Sequence, residues 1–407
     1  MVNVIFAAPL LSENAALTIS AAGVLPDVRL GVISMDPLER LEPSAREFVE
    51  FHWRIDDILD SNALASAVTQ FSERFGPVDR LFAAFEQLQI PLAEVRERFG
   101  IAGLSSEAAK NFRDKGRMKE LLQAAGIPCA RHRTVISPAQ ARHFVSEIGF
   151  PVVVKPPAGA GSLSTFRIDD PEQLDEVLGF ISLSPGQPAL IEEFISGEEH
   201  SFESVTVEGQ PVWHSLTSYE PSALDVVRNQ WIQWCVLVPR EIDDPQYDDI
   251  RQAAKRALEV LGMTTGLTHM EWFRRVDGTI AISEVAARPP GAHFMALHSI
   301  AHDFDLEQAW VRLMVFGTFD PPVQKYAAGA AYLRGQGEGR VRAVYGLNEL
   351  EPEIQQMVVQ SRLPWPGQRP TGSYEGEGYV VVRDIDTERV RQALRRIVKV
   401  VRVELGA

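Results

Sequence analysis

Short apolar runs and longer 3.6-residue patterns alternate along the chain. Val2–Phe6 and Val28–Ile33 read as strands, and Ala15–Ala22 between them has helical composition. That strand–helix–strand order predicts an α/β layer over residues 1–105. No Gly-x-Gly-x-x-Gly follows a strand there, so a dinucleotide site in this layer is unsupported. At Ser105-Ser106-Glu107 a capping signal opens a helical stretch, Ala108–Ala125, which Gly126-Ile127-Pro128 stops. Strands are expected at Pro151–Lys155, Thr165–Ile168, Ala189–Ile191 and Ser201–Val207. Tyr247–Leu261 places Ile250, Ala253, Ala254, Ala257, Leu258 and Leu261 on one helical face. Beyond about residue 325, short strands (Gly329–Leu333, Arg340–Tyr345, Gly378–Arg383) precede a basic helix near Thr387–Ile397 and a last strand.

The sharpest local signal is His269–Val276, Asp277-Gly278, Thr279–Val285. Asp-Gly between two strand-like runs predicts a two-residue hairpin turn. In that register Val276 faces Thr279, Phe273 faces Ile282, and Glu271 faces Glu284. Directly opposed side chains lie about 5 Å apart at Cβ. Two carboxylates near 4 Å repel by about 1 kcal/mol in water and about 4 kcal/mol at an effective dielectric of 20. A divalent cation with oxygen ligands reverses that interaction. Glu284, Ala286 and Arg288 share a face, which Pro289-Pro290 ends. The outline is a metal–phosphate site. A solvent-facing hairpin with scattered charges is the competing explanation, since a slip of one residue separates the pair.

Lys155 ends an apolar strand and precedes Gly159, Gly161 and Ser162. The lysine comes before the glycines and another strand follows, so this is not a Walker A loop. A glycine-rich loop between strands can fold its N–H groups over phosphates; an ordinary flexible hairpin with a snorkelling lysine is the competing explanation. Glu192–Glu199 lies between two strand candidates as a short extended linker, which can supply the edge groups and apolar walls an adenine ring needs; an acidic surface loop is the competing explanation.

Composition narrows the classes. The chain has 407 residues, enough for two to four domains at about 150 each. Forty Lys+Arg against 55 Asp+Glu leave a net charge of −15 with no basic stripe, which argues against nucleic-acid binding. Two cysteines, Cys129 and Cys235, exclude a disulfide scaffold and suggest a reducing compartment, the cytoplasm. No apolar run is long enough for a membrane span, and Met1–Leu11 reads as a first strand rather than a signal peptide.

Taken in order, Lys115, Lys155 with its glycine loop, Glu192–Glu199, Glu271, Glu284 and Arg288 resemble the ATP-grasp superfamily of carboxylate–amine ligases, and its L-amino-acid ligase branch in particular. The resemblance implies an α/β (α+β) ATP-grasp fold. It divides the chain into a Rossmann-like α/β domain (1–105), an ATP-grasp domain (106–325, with a small lid lobe at about 120–190) and an α+β domain (326–407). It implies ATP and one or two Mg2+ as cofactors. Lys115 and Lys155 would bind the nucleotide, with Gly159, Gly161 and Ser162 over its phosphates. Glu192 and the backbone of Glu193 and Ile195 would meet adenine, and Glu199 the ribose. Glu271 and Glu284 would ligate magnesium; Arg288 would hold phosphate or an acyl-phosphate, and with Lys155 would be catalytic. Where many members carry a metal-ligating Asn, this chain has Ala286, a departure shared with purine-biosynthesis relatives.

The implied reaction activates a small carboxylate, such as an amino acid, as an acyl-phosphate and joins it to an amine. A formyl or carboxyl transfer of purine-biosynthesis type and a nucleotide-binding regulator without turnover are the alternatives. A homodimer is the base-rate expectation. His298 and His302 have a zinc-like spacing without the accompanying glutamate and read as a polar helix face beside the substrate pocket, within reach of His293. Trp231 and Trp234, like the two cysteines, read as packing residues.

Overall fold

A computed structural model describes residues 1–158, 165–229 and 232–406. Gly159, Gly161, Ser162 and Trp231 lie outside the described residues.

The first sheet is parallel, ordered β3-β2-β1-β4: β1 (Val2–Ala8), β2 (Val28–Ser34), β3 (Phe51–Arg54) and β4 (Arg80–Phe82). Val4–Ala8 are fully buried because helices cover both faces, as a parallel sheet requires. The second sheet is antiparallel, ordered β5-β8-β6-β7: β5 (His132–Val135), β6 (Val152–Lys155), β7 (Phe166–Ile168) and β8 (Ala189–Glu193).

Eight strands make the central sheet. β9 (Gly197–Val207), β10 (Gln210–Glu220), β11 (Trp234–Val238), β12 (Gly266–Arg275), β13 (Ile280–Ala286) and β14 (Ala327–Leu333) come first. β15 (Gly335–Gln336) and β16 (Arg340–Tyr345) belong to a separate small sheet. β17 (Val358–Arg362) and β18 (Gly378–Asp384) return to the central one, and β19 (Arg402–Gly406) closes the small sheet. The central order is β13-β12-β9-β10-β11-β14-β18-β17, so one continuous sheet runs across residue 325.

Three local expectations need correction. The single helix over 108–125 is two, Ser106–Arg113 and Lys115–Ala124, because Asp114 takes an extended conformation and caps the second by accepting from the Gly116 and Arg117 N–H groups. Glu192 and Glu193 are not in a linker: they end β8, Glu198 and Glu199 already lie in β9, and only Phe194–Ser196 connects the two. The Asp277-Gly278 turn has three loop residues rather than two. Arg275 and Thr279 close the ladder, and Gly278 takes the left-handed conformation at φ +84.

That longer loop shifts the hairpin by one residue, pairing Phe273 with Ala281 rather than Ile282. A bulge at Ser283 shifts it back. The two shifts cancel, and Glu271 pairs directly with Glu284.

Candidate functional site

A cavity of about 1660 Å³ opens between the first, second and central sheets. Its wall includes Lys115, Lys155, Glu192, Ile195, Glu199, Glu271, Glu284, Arg288 and His293. The Asp114 break puts Lys115 at the first position of its helix, where its N–H donates to the Pro157 carbonyl just past β6. Its Nζ lies 2.8 Å from Glu284 Oε1.

Lys155 ends β6 beside β8, and its Nζ is 2.5 Å from Glu192 Oε1. The other Glu192 oxygen is 3.0 Å from Nζ of Lys119, which is fully buried. Burial alone would raise the Glu192 pKa, but the two lysines overcome it and hold the carboxyl down at about 2. Burial works against the Lys155 ammonium, yet Glu192 and Glu284 raise its pKa above the ordinary lysine value. Glu193 alternates to the other side of β8, where Arg131 (2.7 Å) and Arg275 (2.8 Å) hold its carboxylate. Its N–H donates to the Arg131 carbonyl.

Glu199 and Glu271 share one face of the β9–β12 pair, as diagonal neighbours. Burial, then the charge of Glu271, pushes Glu199 up to about 8, although one of its oxygens accepts from the Ala223 N–H at 2.8 Å. Arg288 leaves β13 and is held at 3.1 Å by Glu86, a buried carboxylate that also takes Arg113 at 2.9 Å. Sequence reasoning did not single out Glu86, Lys119 or His269. Lys119 did carry a signal: it lies four residues from Lys115, on the same helical face.

His298 and His302 do not form a polar face beside the pocket. Both are buried in the helix Phe294–His302, and His298 Nε2 is 3.1 Å from Glu203 Oε2. His293 does reach the cavity wall, 3.6 Å from Glu375. Trp234 is buried in an aromatic cluster with Tyr332 and Tyr374 and also touches the cavity. Cys129 and Cys235 are free, and burial raises both thiols.

Among the described residues no three His, Cys, Asp or Glu side chains are grouped as a complete metal cage. Two facing carboxylates on a cavity wall are the donor set that magnesium takes when phosphates and water supply the remaining oxygens. The residues therefore fit a nucleotide-bound cation rather than a resident metal. No helix among the described residues is long and apolar enough to cross a membrane.

Residues 120–300 match the ATP-grasp domain family. The chain is 25% identical over 275 residues to an L-arginine-specific L-amino acid ligase of Bacillus subtilis, covering 65% of each. It is 26% identical over 269 residues to an alanine–anticapsin ligase of Bacillus subtilis, covering 61% of this chain and 56% of that one. The matched stretch thus spans between half and two thirds of these relatives' own length. In fold it resembles an L-amino acid ligase of Bacillus licheniformis at TM-score 0.79 and 18% identity, covering 100% of this chain and 99% of the other. It also resembles an N5-carboxyaminoimidazole ribonucleotide synthetase of Thermotoga maritima at TM-score 0.72 and 19% identity, covering 100% of both. The likeness to an ATP-grasp domain thus lies in residues 120–300, and the fold of the whole chain is the one these solved structures share.

Proposed function

We propose that this protein is an ATP-dependent carboxylate–amine ligase that joins small acids and amines, amino acids among them, and releases ADP and phosphate. The observation that carries the reading is the direct pairing of Glu271 with Glu284 on a cavity wall that also presents Lys115, Lys155 and Arg288. In this reading Lys115 and Lys155 bind the nucleotide phosphates. Glu271 and Glu284 hold Mg2+, the backbone of Glu193 and Ile195 meets the base, and Glu199 meets the ribose. Glu192 acts through Lys155 and Lys119, whose ammonium groups it fixes. Gly159, Gly161 and Ser162 are proposed as the phosphate loop. The domain limits 1–105, 106–325 and 326–407, a cytoplasmic setting and a homodimer belong to the same proposal.

The chemistry follows from charge. A carboxylate oxygen attacks the γ-phosphorus of ATP, the bond to the β–γ bridging oxygen breaks, and ADP leaves. This brings an anion against a polyanion. Lys155 and Arg288 offset the repulsion and stay in place because Glu192 and Glu86 anchor them. Bound magnesium would neutralise charge on the phosphate oxygens. The amine nitrogen then attacks the acyl-phosphate carbonyl, and phosphate departs to leave an amide.

The test is a screen of amino acid pairs with ATP and Mg2+, reading phosphate release. Release that requires both an acid and an amine supports the ligase. Release with bicarbonate or formate and a purine precursor instead favours transfer of the purine-biosynthesis type. ATP binding without release under any pairing contradicts both.

A further inference from the structure

The sheet face that carries Glu271 continues inward as a buried, charged row. Glu203 of β9 stands beside His269 of β12 in the sheet register, two residues from Glu271 on the same face. Glu203 is fully buried. Its Oε1 accepts from His269 Nδ1 at 2.8 Å, and its Oε2 lies 3.1 Å from His298 Nε2. The opposite edge of the His269 ring points back to the cavity, with Nε2 3.7 Å from Glu271 Oε1.

This row makes poor sense as packing. Taking a carboxylate out of water costs several kcal/mol, and well-packed apolar residues often replace a buried ion pair without loss. Val205, two residues along on the same face, shows that β9 can present an apolar side chain here. The row makes sense as a mount. Each nitrogen edge of the His269 ring faces a carboxylate: Nδ1 donates to Glu203, and Nε2 stands in charge contact with Glu271. Glu203, hydrogen-bonded through Oε1 to Nδ1 and flanked at Oε2 by the His298 ring, fixes the plane of the His269 ring. The ring in turn limits how the Glu271 carboxylate can rotate. Partners one step behind a metal ligand commonly set its orientation in this way.

We propose that Glu203 and His269 are positioning residues that hold the Glu271 carboxylate in the orientation receiving the divalent cation of the nucleotide. This rests on the reading of Glu271 as a magnesium–nucleotide carboxylate. The measurement is ADP affinity by calorimetry with and without Mg2+, and the quantity read is the factor by which Mg2+ tightens ADP. His269→Leu keeps an apolar volume and removes both nitrogens; Glu203→Ala removes the anchor; Glu203→Gln keeps an acceptor for the ring.

The Mg2+ factor should fall about 10- to 100-fold in His269→Leu and Glu203→Ala, recover in Glu203→Gln, and leave ADP affinity without Mg2+ unchanged. An unchanged factor in folded His269→Leu overturns the proposal, whether or not Glu203→Ala folds. Glu271→Ala separates the two levels. Collapse of the factor there with survival in His269→Leu removes only the positioning role. Survival in Glu271→Ala removes the reading of the site itself.

Discussion

Strands β1 and β9 are both buried almost end to end, yet they are built from opposite materials. Val4–Ala8 of β1 are all apolar and fully buried, with helices packed on both faces. In β9 the buried stretch runs from Glu199 to Thr206, and only Phe202 and Val205 in it are apolar. The first strand is an ordinary parallel-sheet core. The second spends its buried positions on Glu199, Ser201 and Glu203 facing the Glu271 wall, while Phe202 packs on the other side with Met270 and Trp272. Burial alone therefore does not locate the hydrophobic core in this molecule. Buried polarity, and the partners that satisfy it, locates the site.

If that contrast is right, truncation in the first region should cost stability and leave ligand binding alone. Phe71 is fully buried against the N-terminal sheet. Phe71→Ala should destabilise by about 3–5 kcal/mol in denaturant titration, with ATP affinity of the folded fraction unchanged. A loss of ATP affinity in the folded protein would erase the distinction.

Substitution in the second region should do the reverse. Glu284→Gln keeps an oxygen for Lys115 and removes one of the paired charges. Turnover should fall about 10²- to 10³-fold with the melting transition nearly unmoved. Normal turnover would mean that Glu284 is only an ion-pair partner.

The charged region should also dominate the pH dependence of stability. Glu192 and Glu203 are each held at about 2 in the folded chain, below the ordinary value of 4.5. Their contribution is complete above 4.5 and lost as pH falls toward 2. Burial works against the charged His269, but the Glu203 and Glu271 carboxylates beside it overcome that and raise it to about 9. Its contribution is complete below 6.5 and lost as pH rises toward 9. Urea midpoints across pH should flatten on the acid side in Glu192→Gln and on the alkaline side in His269→Leu. Unchanged limbs would show that other groups set the profile. The smallest effect belongs to the surface: Arg142→Ala, which breaks an exposed pair with Asp175, should change stability by less than about 1 kcal/mol. A larger loss would show that charges far from the cavity also carry the fold.

Periodicity and turn chemistry made much of the fold legible. The opening strand–helix–strand of the first layer, the amphipathic helix ending at Leu261 and the strands before and after the Lys155 loop follow from local pattern. The pairing of Glu271 with Glu284 was legible for a partly wrong reason. The extra loop residue and the Ser283 bulge each shift the register by one, and a reading that missed both still reached the right pair. What stayed hidden depends on tertiary approach. Glu86 and Arg288 are 202 residues apart and meet only when the first layer closes on the central sheet. The burial of His298 and Glu203 follows from packing of the Phe294–His302 helix, which an i, i+4 spacing cannot distinguish from a solvated face. The break at Asp114 was readable, since a capping residue stands ahead of Lys115 inside an otherwise helical run.

The central claim is that Glu271 and Glu284 together receive a nucleotide-bound cation. The most direct test is an anomalous difference map from crystals grown with ADP and Mn2+. A peak between the two carboxylates, about 2.1 Å from an oxygen of each and touching the diphosphate, is the predicted result. ADP seated in the cavity with its manganese bound away from both glutamates would contradict the account.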